Sequence, residues 1–300
     1  MSAVSAVTSA MALRPSTAFQ RFTSYSVHRD DEEAYFGTDG DVFLRYDATR
    51  GCLVADGQGN AVEVRGLNMA PDRYELVERF NKAPKLNADI LSATEATNEV
   101  CNRDFEILGT NASSDDATLY AEGGILIETD GGDDDQVIVL PHLDTGESAW
   151  TSTTWGTDQE TRWEAVIQTA ASIAAIHIWA GLKLTNTSVL ATDADQAYFY
   201  FNTEAGSDAT KWHAVYSIGG TDTDTASSTA AVGANTTYHL VVNIDSARLA
   251  TFYVNGTLIA TSTALTNAID LIPYIGVQAL TTAAKSIRIF KTAISRNSGA

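Results

Sequence analysis

Three hundred residues with 44% apolar content can bury a large core, as one broad β domain or as two smaller units. Nineteen basic against 38 acidic residues leave a formal charge of −19, which argues against nucleic acid as a partner, because phosphate contacts need clustered Lys and Arg. No uninterrupted apolar run reaches the about eighteen residues of a membrane-spanning helix, so no membrane partner is expected. The charge is uneven. Residues 1–29 carry Arg14, Arg21 and Arg29 and no acid, and the stretch from Lys285 onward carries Arg288, Lys291 and Arg296 and no acid. Such ends can dock on an acidic neighbour, or can differ from the middle by chance. Residues 1–13, MSAVSAVTSAMAL, lack the basic start and long apolar core of a signal peptide, so synthesis in a cytoplasm is expected. Cys52 and Cys101 are read as two free thiols, since spacing alone assigns no disulfide.

In chain order, residues 1–36 read as an extended arm of Ser, Ala, Thr and Arg-Pro without a period. Arg14, Phe19, Arg21, Phe22 and Tyr25 are its candidate assembly contacts, laid across a neighbouring subunit. Residues 37–70 read as a small β unit, with strands at 42–46, 52–55 and 61–64 and turns at the Asp and Gly residues between them. Residues 71–108 read as a linker with short helices. Arg73–Phe80 has apolar residues at 74, 76, 77 and 80, Pro84 ends that pattern, and Ser92-Ala-Thr-Glu95 matches a capping box. Residues 109–296 read as all β, with candidate strands at 117–128, 136–140, 161–169, 173–184, 196–201, 212–218, 238–245, 249–254, 257–263, 271–278 and 285–292. The expected fold is mainly β: arm and small β unit, then an antiparallel β-sandwich of jelly-roll type, with 297–300 as a tail.

The clearest local structure is Tyr238–Thr263. Tyr238, Leu240, Val242 and Ile244 point one way and His239, Asn243 and Asp245 the other, a half-buried strand. Leu249–Val254 is apolar on both faces, so coverage on both is expected. Asn255-Gly256 supplies the positive φ twice that a two-residue hairpin requires.

Tyr238-His-Leu-Val-Val, Ala250-Thr-Phe-Tyr-Val-Asn-Gly-Thr-Leu and Lys285-Ser-Ile-Arg-Ile-Phe-Lys-Thr-Ala-Ile resemble the concanavalin A-like lectin and laminin-G superfamily over roughly residues 115–296. A narrower resemblance is to structural proteins of tailed bacteriophages. Its residues are Gly123-Gly124, Asp135–His142, Trp155-Gly-Thr-Asp158, Trp179–Asn186, Asp193–Phe199 and Gly220–Asp224. Tyr35-Phe-Gly-Thr-Asp-Gly-Asp-Val42 with Arg45-Tyr-Asp47 is similar to a repeated element of such proteins. The resemblance implies a virion component, preferably a capsid decoration or cement protein contacting the major capsid protein or other virion subunits as a homotrimer. The alternative is a tail or fibre module that binds a host glycan, and a third reading is a jelly-roll glycoside hydrolase.

Catalysis is not expected. Glu128-Thr-Asp130-Gly-Gly-Asp133 is similar to the carboxylate string of jelly-roll β-glucanases, and Glu128 and Asp130 share a face, but that motif has apolar residues between its acids and a Glu at its end, where here Gly131-Gly132 breaks the strand. No catalytic residue, cofactor or resident metal is assigned. Asp130, Asp133 and Asp135 are candidates for calcium, which takes clustered oxygen ligands, with Asp193/Asp195 and Asp222/Asp224 as lesser versions. Trp150 and Trp155, in the polar stretch WTSTTW, are the candidate ligand aromatics, whereas Trp163 and Trp179 in alternating strands are expected in the core. His177, between Ile176 and Ile178, is expected to face away from them, and the five histidines are assigned structural roles.

Overall fold

A computed structural model of the chain describes the strands at 33–36, 42–47 and 52–56 and residues 73–86, 104–141, 148–184 and 193–297. The arm contacts Arg14, Phe19, Arg21, Phe22 and Tyr25, the expected strand at 61–64, the capping box at 92–95 and Cys101 lie outside these residues. The chain divides into two units, Met1–Met69 and Ala70–Ala300.

In the first unit β1 (Glu33–Phe36), β2 (Val42–Asp47) and β3 (Cys52–Asp56) form an antiparallel meander, with Phe36 opposite Val42 and Tyr46 opposite Leu53. Strand β1 falls inside the range read as arm. Its four residues pair along β2, which extends the β unit toward the N-terminus.

The second unit contributes, in chain order, β4 (Arg73–Glu78), β5 (Lys85–Leu86), β6 (Phe105–Leu108), β7 (Ala117–Leu119), β8 (Ile125–Glu128) and β9 (Gln136–Pro141). One helical turn, α1 (Ala149–Ser152), leads to β10 (Arg162–Thr169), β11 (Ile176–Lys183), β12 (Gln196–Asn202), β13 (Lys211–Ile218) and β14 (Thr221–Ala231). Then come β15 (Thr237–Ile244), β16 (Leu249–Val254), β17 (Thr257–Ala264), β18 (Ile272–Ala279) and β19 (Ser286–Asn297).

These strands make two eight-stranded sheets. The back sheet runs β17-β16-β15-β10-β19-β8-β7, with β4 also paired to β19. The front sheet runs β14-β13-β12-β11-β18-β9-β6-β5 and is antiparallel except for β5 beside β6. The inward faces interdigitate in one core. The back sheet gives Ile127, Trp163, Leu240, Val242, Phe252 and Ile289, and the front sheet gives Ile178, Leu182, Phe199, Trp212 and Val277, all buried. Phe199 meets Phe252 edge-on at 5.6 Å between ring centroids, and Trp212 meets Tyr238 at 5.5 Å. Each such side chain removed from water contributes about 1.5–3 kcal/mol, so the two faces hold each other.

The meander is as read: Tyr238, Leu240, Val242 and Ile244 are in the core, and Asn255 and Gly256 take φ of 50° and 78°. Asn255 also accepts a hydrogen bond from the backbone N–H of His239 at 2.8 Å, which ties the hairpin tip to the neighbouring strand.

Four expectations need correction. Leu249–Val254 is covered on one face only: Ala250, Phe252 and Val254 are buried, while Leu249, Thr251 and Tyr253 stay half-exposed, because among the described residues no second layer packs on that side. Arg73–Phe80 is not a helix. Residues 73–78 are strand β4, pairing Thr292–Asn297 of β19 where β8, which pairs only Ser286–Ile289, has ended. Six backbone ladder positions on a bare sheet edge outweigh a short amphipathic pattern, since an isolated helix of that length is marginal in water. Leu76 packs on the core while Tyr74 and Val77 remain exposed. Phe105–Leu108 likewise lies within the stretch read as linker, yet it is β6, with Phe105 and Ile107 in the core. Strand β14 was not among the expected strands. Its Thr, Asp, Ser and Ala residues carry no apolar alternation, and it occupies the sheet edge, where none is needed.

Candidate functional site

The residues singled out in advance separate in space. Trp150 and Trp155 are not surface aromatics: they are 4% and 0% exposed. Ser148 caps α1, accepting from the Trp150 N–H at 3.3 Å and donating to Asp104 at 2.7 Å, and this turn drives Trp150 against Phe105 at 4.8 Å. Trp155 stacks on Tyr74 at 5.9 Å and donates its indole N–H to the Trp150 carbonyl at 3.0 Å. Of the calcium candidates, Asp130 and Asp133 are exposed. Asp135 is buried, and its carboxylate accepts from the Gly132 N–H and from the Asn111 side chain at 2.6 Å, so it closes its own turn. Asp193 lies 3.8 Å from the Lys183 ammonium, and Asp195 accepts from Thr266. Among the described residues no three His, Cys, Asp or Glu side chains converge as a metal-binding group.

Another constellation appears on the outward face of the front sheet. Strand register alone builds it in rows. One row runs His213, Tyr200, Trp179, Gly276, Ile138 and Leu108 across six strands. The next runs Asp224, Val215, Tyr198, Gly181 and Tyr274, and a third runs Asp222, Ser217, Gln196, Lys183 and Ile272. A rim row holds Asn202, His177, Gln278 and Gln136. His177 does point away from Ile176 and Ile178. So does Trp179, two residues on: it belongs to a second buried cluster with Ile138, Leu140, Tyr198, Val215, Ile272 and Tyr274, and not to the core that holds Trp163.

The face is aromatic and dense. Gly276 lies under Trp179, and a Cβ there would stand 2.6 Å from the indole nitrogen. His177 meets Trp179 edge-on at 4.7 Å and Tyr200 at 4.5 Å, and Tyr200 meets His213 at 5.4 Å. The Lys183 ammonium sits 5.3 Å from the Tyr274 ring centroid, a cation–π approach. Three buried polar atoms of this face, the indole N–H of Trp179, the Tyr274 hydroxyl and the Gln196 side-chain carbonyl, have no hydrogen-bond partner among the described residues. Such groups are costly to leave unmatched.

Burial and partners set the electrostatics. Burial lowers the Lys183 ammonium, against the opposing pull of Asp193. Burial raises the Tyr198 and Tyr274 phenols. His177 is lowered to about 4 by burial, partly offset by Gln278. His213 is raised by its 2.7 Å hydrogen bond to Asp224. Asp222 takes the hydroxyl of Ser217. Both face carboxylates are thus engaged by neighbours on the adjacent strand. On the opposite sheet, His239, Lys291 and Arg162 surround Glu164 and hold its carboxyl well below the usual range, the hydrogen bond from His239 contributing most.

Sequence reading missed this face because its members come from seven strands spread from Leu108 to Gln278. The available signal was the outward position of His177, from which Trp179, Gly181 and Lys183 follow by the period of two.

No family model matches the sequence, and no curated protein does. Solved structures do match in shape. A protein of unknown function from Shewanella oneidensis MR-1 superimposes with a TM-score of 0.50 at 15% identity, over 76% of this chain and 88% of that one. The fold is a jelly roll of two packed, mainly antiparallel sheets. The carbohydrate recognition domain of Emp47p gives a TM-score of 0.48 at 9% identity, over 65% of this chain and 89% of that one. A Bacillus licheniformis β-glucanase gives 0.47 at 12%, over 73% and 97%. At such identities the likeness is one of fold.

Proposed function

We propose that the chain is a non-catalytic structural component of a tailed-bacteriophage particle, a decoration protein of the head surface whose partner is the major capsid protein. The observation that supports this reading is the unit containing residues 33–56. The segment similar to a repeated virion element, Tyr35–Asp47, folds as part of its own three-stranded meander, in a unit distinct from the jelly roll. An anchor and a displayed domain are thereby available on one chain. Trimers fit the threefold sites of a capsid lattice. Counting copies in purified particles tests the reading: hundreds of copies on the head are expected, and a handful at the tail would refute it. Deleting residues 1–32, which leaves β1 in place, is expected to abolish particle association, and unchanged association would remove the arm's role.

A second reading is favoured by the front-sheet face. Aromatic rings beside side-chain amides are what a sugar ring needs, C–H faces on aromatics and hydroxyls on polar atoms. Tyr200, His177, Asn202 and Gln278 are the half-exposed edge at which a glycan would enter. If the chain binds glycans through this face, Tyr200→Ala weakens array-detected binding by at least about tenfold, or 1.4 kcal/mol. Binding that survives this change excludes the face.

A further inference from the structure

Opposite the front-sheet face, the back sheet ends in a pocket of about 320 Å³, where β8 and the start of β19 meet the turns that follow β10 and precede β15. Two cations line it, Lys285 and Arg288, together with Leu126, Ser172, Asn235 and Ser286. Among the described residues neither cation is ion-paired, on a chain whose net charge is −19.

Arg288 is held in advance. Its guanidinium lies 3.9 Å from the Tyr120 ring centroid, and one of its nitrogens donates to the Gln168 side-chain carbonyl at 2.8 Å. A guanidinium has five N–H donors in a rigid fork, so this bond leaves others for a ligand. The stacking removes the rotamer freedom that a free arginine loses on binding. The rest of the wall is neutral: Leu126 offers an apolar patch, and the hydroxyls of Ser172 and Ser286 and the Asn235 amide offer hydrogen bonds. A lone inorganic ion would use the cations and the polar donors but leave the apolar patch of Leu126 unused. A ring bearing one oxyanion and several hydroxyls would use all of these groups, and the volume suits one sugar unit.

We propose that this pocket binds an acidic monosaccharide unit, with its carboxylate on Arg288 and Lys285. The site stands on the sheet opposite the aromatic face and does not depend on a ligand there.

Calorimetric titration of the full chain at matched ionic strength with glucuronate, glucose and sulfate tests the assignment. Saturable glucuronate binding is expected, with glucose and sulfate each at least tenfold weaker. Lys285→Gln, a change at a partly exposed side chain, is expected to weaken glucuronate at least fivefold. Arg288→Lys, which keeps the charge and loses the fork, is expected to weaken it at least tenfold. Equal affinity for glucuronate and glucose, or glucuronate affinity unchanged in Lys285→Gln, overturns the proposal. Sulfate binding as tight as glucuronate would mean a free-anion site and would also overturn it. If Arg288→Lys fails to fold, the Lys285→Gln and ligand comparisons still decide.

Discussion

Replacing Trp155 by alanine is expected to destabilise the jelly roll by about 3–5 kcal/mol, the range for emptying a buried aromatic site. The side chain is 0% exposed, so the whole indole leaves a cavity that the surrounding strands can fill only in part. Its loss also leaves the Trp150 carbonyl without the 3.0 Å indole donor and removes the ring stacked on Tyr74 of β4. The site is further fixed through the backbone: the Trp155 N–H donates to Asp270 at 2.6 Å, and its carbonyl accepts from Leu271 at 3.2 Å. These contacts hold the segment after α1 against β4 and the approach to β18, so little collapse is available to soften the cost. Burial raises the Asp270 carboxyl, against that same backbone hydrogen bond. Urea denaturation measures the effect as a shift of midpoint at constant slope. Trp155→Phe should cost clearly less, since a ring remains to meet Tyr74. A shift below about 0.5 kcal/mol for the alanine variant, the usual limit for a site away from the core, would mean that Trp155 is a surface aromatic after all.

Acid is expected to weaken the jelly roll before its carboxylates begin to protonate. His177 is lowered from 6.5 to about 4 by burial between Trp179 and Tyr200. The unfolded chain therefore takes up a proton near pH 6.5 that the folded chain refuses until about pH 4. Across that window the unfolded state binds more protons, so stability falls as pH falls, by about 2 kcal/mol from this group between pH 7 and pH 5. His213 works the other way. Its folded value is raised by Asp224, so its contribution is present below the unfolded value and is lost as pH rises through the folded one. Asp224 is half-exposed, which limits that contribution. Glu164 is lowered by His239 first and Lys291 after it, so its contribution is present above its ordinary value of 4.5 and is lost below it. The two histidines oppose each other and Glu164 acts later. The clean measurement is therefore a difference: the urea midpoints of the native chain and of His177→Gln, each at pH 7 and pH 5. The variant should lose the His177 share of the slope. Parallel loss in both proteins would show that His177 titrates normally.

Much of the sandwich could be read from residues near each other in the chain. The period of two in Tyr238–Ile244 predicted which side chains enter the core, and Asn255-Gly256 predicted a turn with two positive φ angles, because both follow from backbone geometry over a few residues. The same alternation put His177 opposite Ile176 and Ile178. Where local pattern and global need diverged, it failed. Arg73–Glu78 has a short helical stripe but satisfies the open edge of β19, and Thr221–Ala231 has no apolar stripe but closes the front sheet as its edge strand. Trp150 and Trp155 sit in polar sequence, and only the cap at Ser148 and the arrival of Tyr74 and Phe105 from distant strands bury them. Sequence by itself therefore determined strand alternation, hairpin chemistry and an acidic, mainly β chain, since these depend on near neighbours. Tertiary structure alone decided the edge strands, the second aromatic face and the pairing of Arg288 with Tyr120, because each joins residues that only sheet register and packing bring within reach.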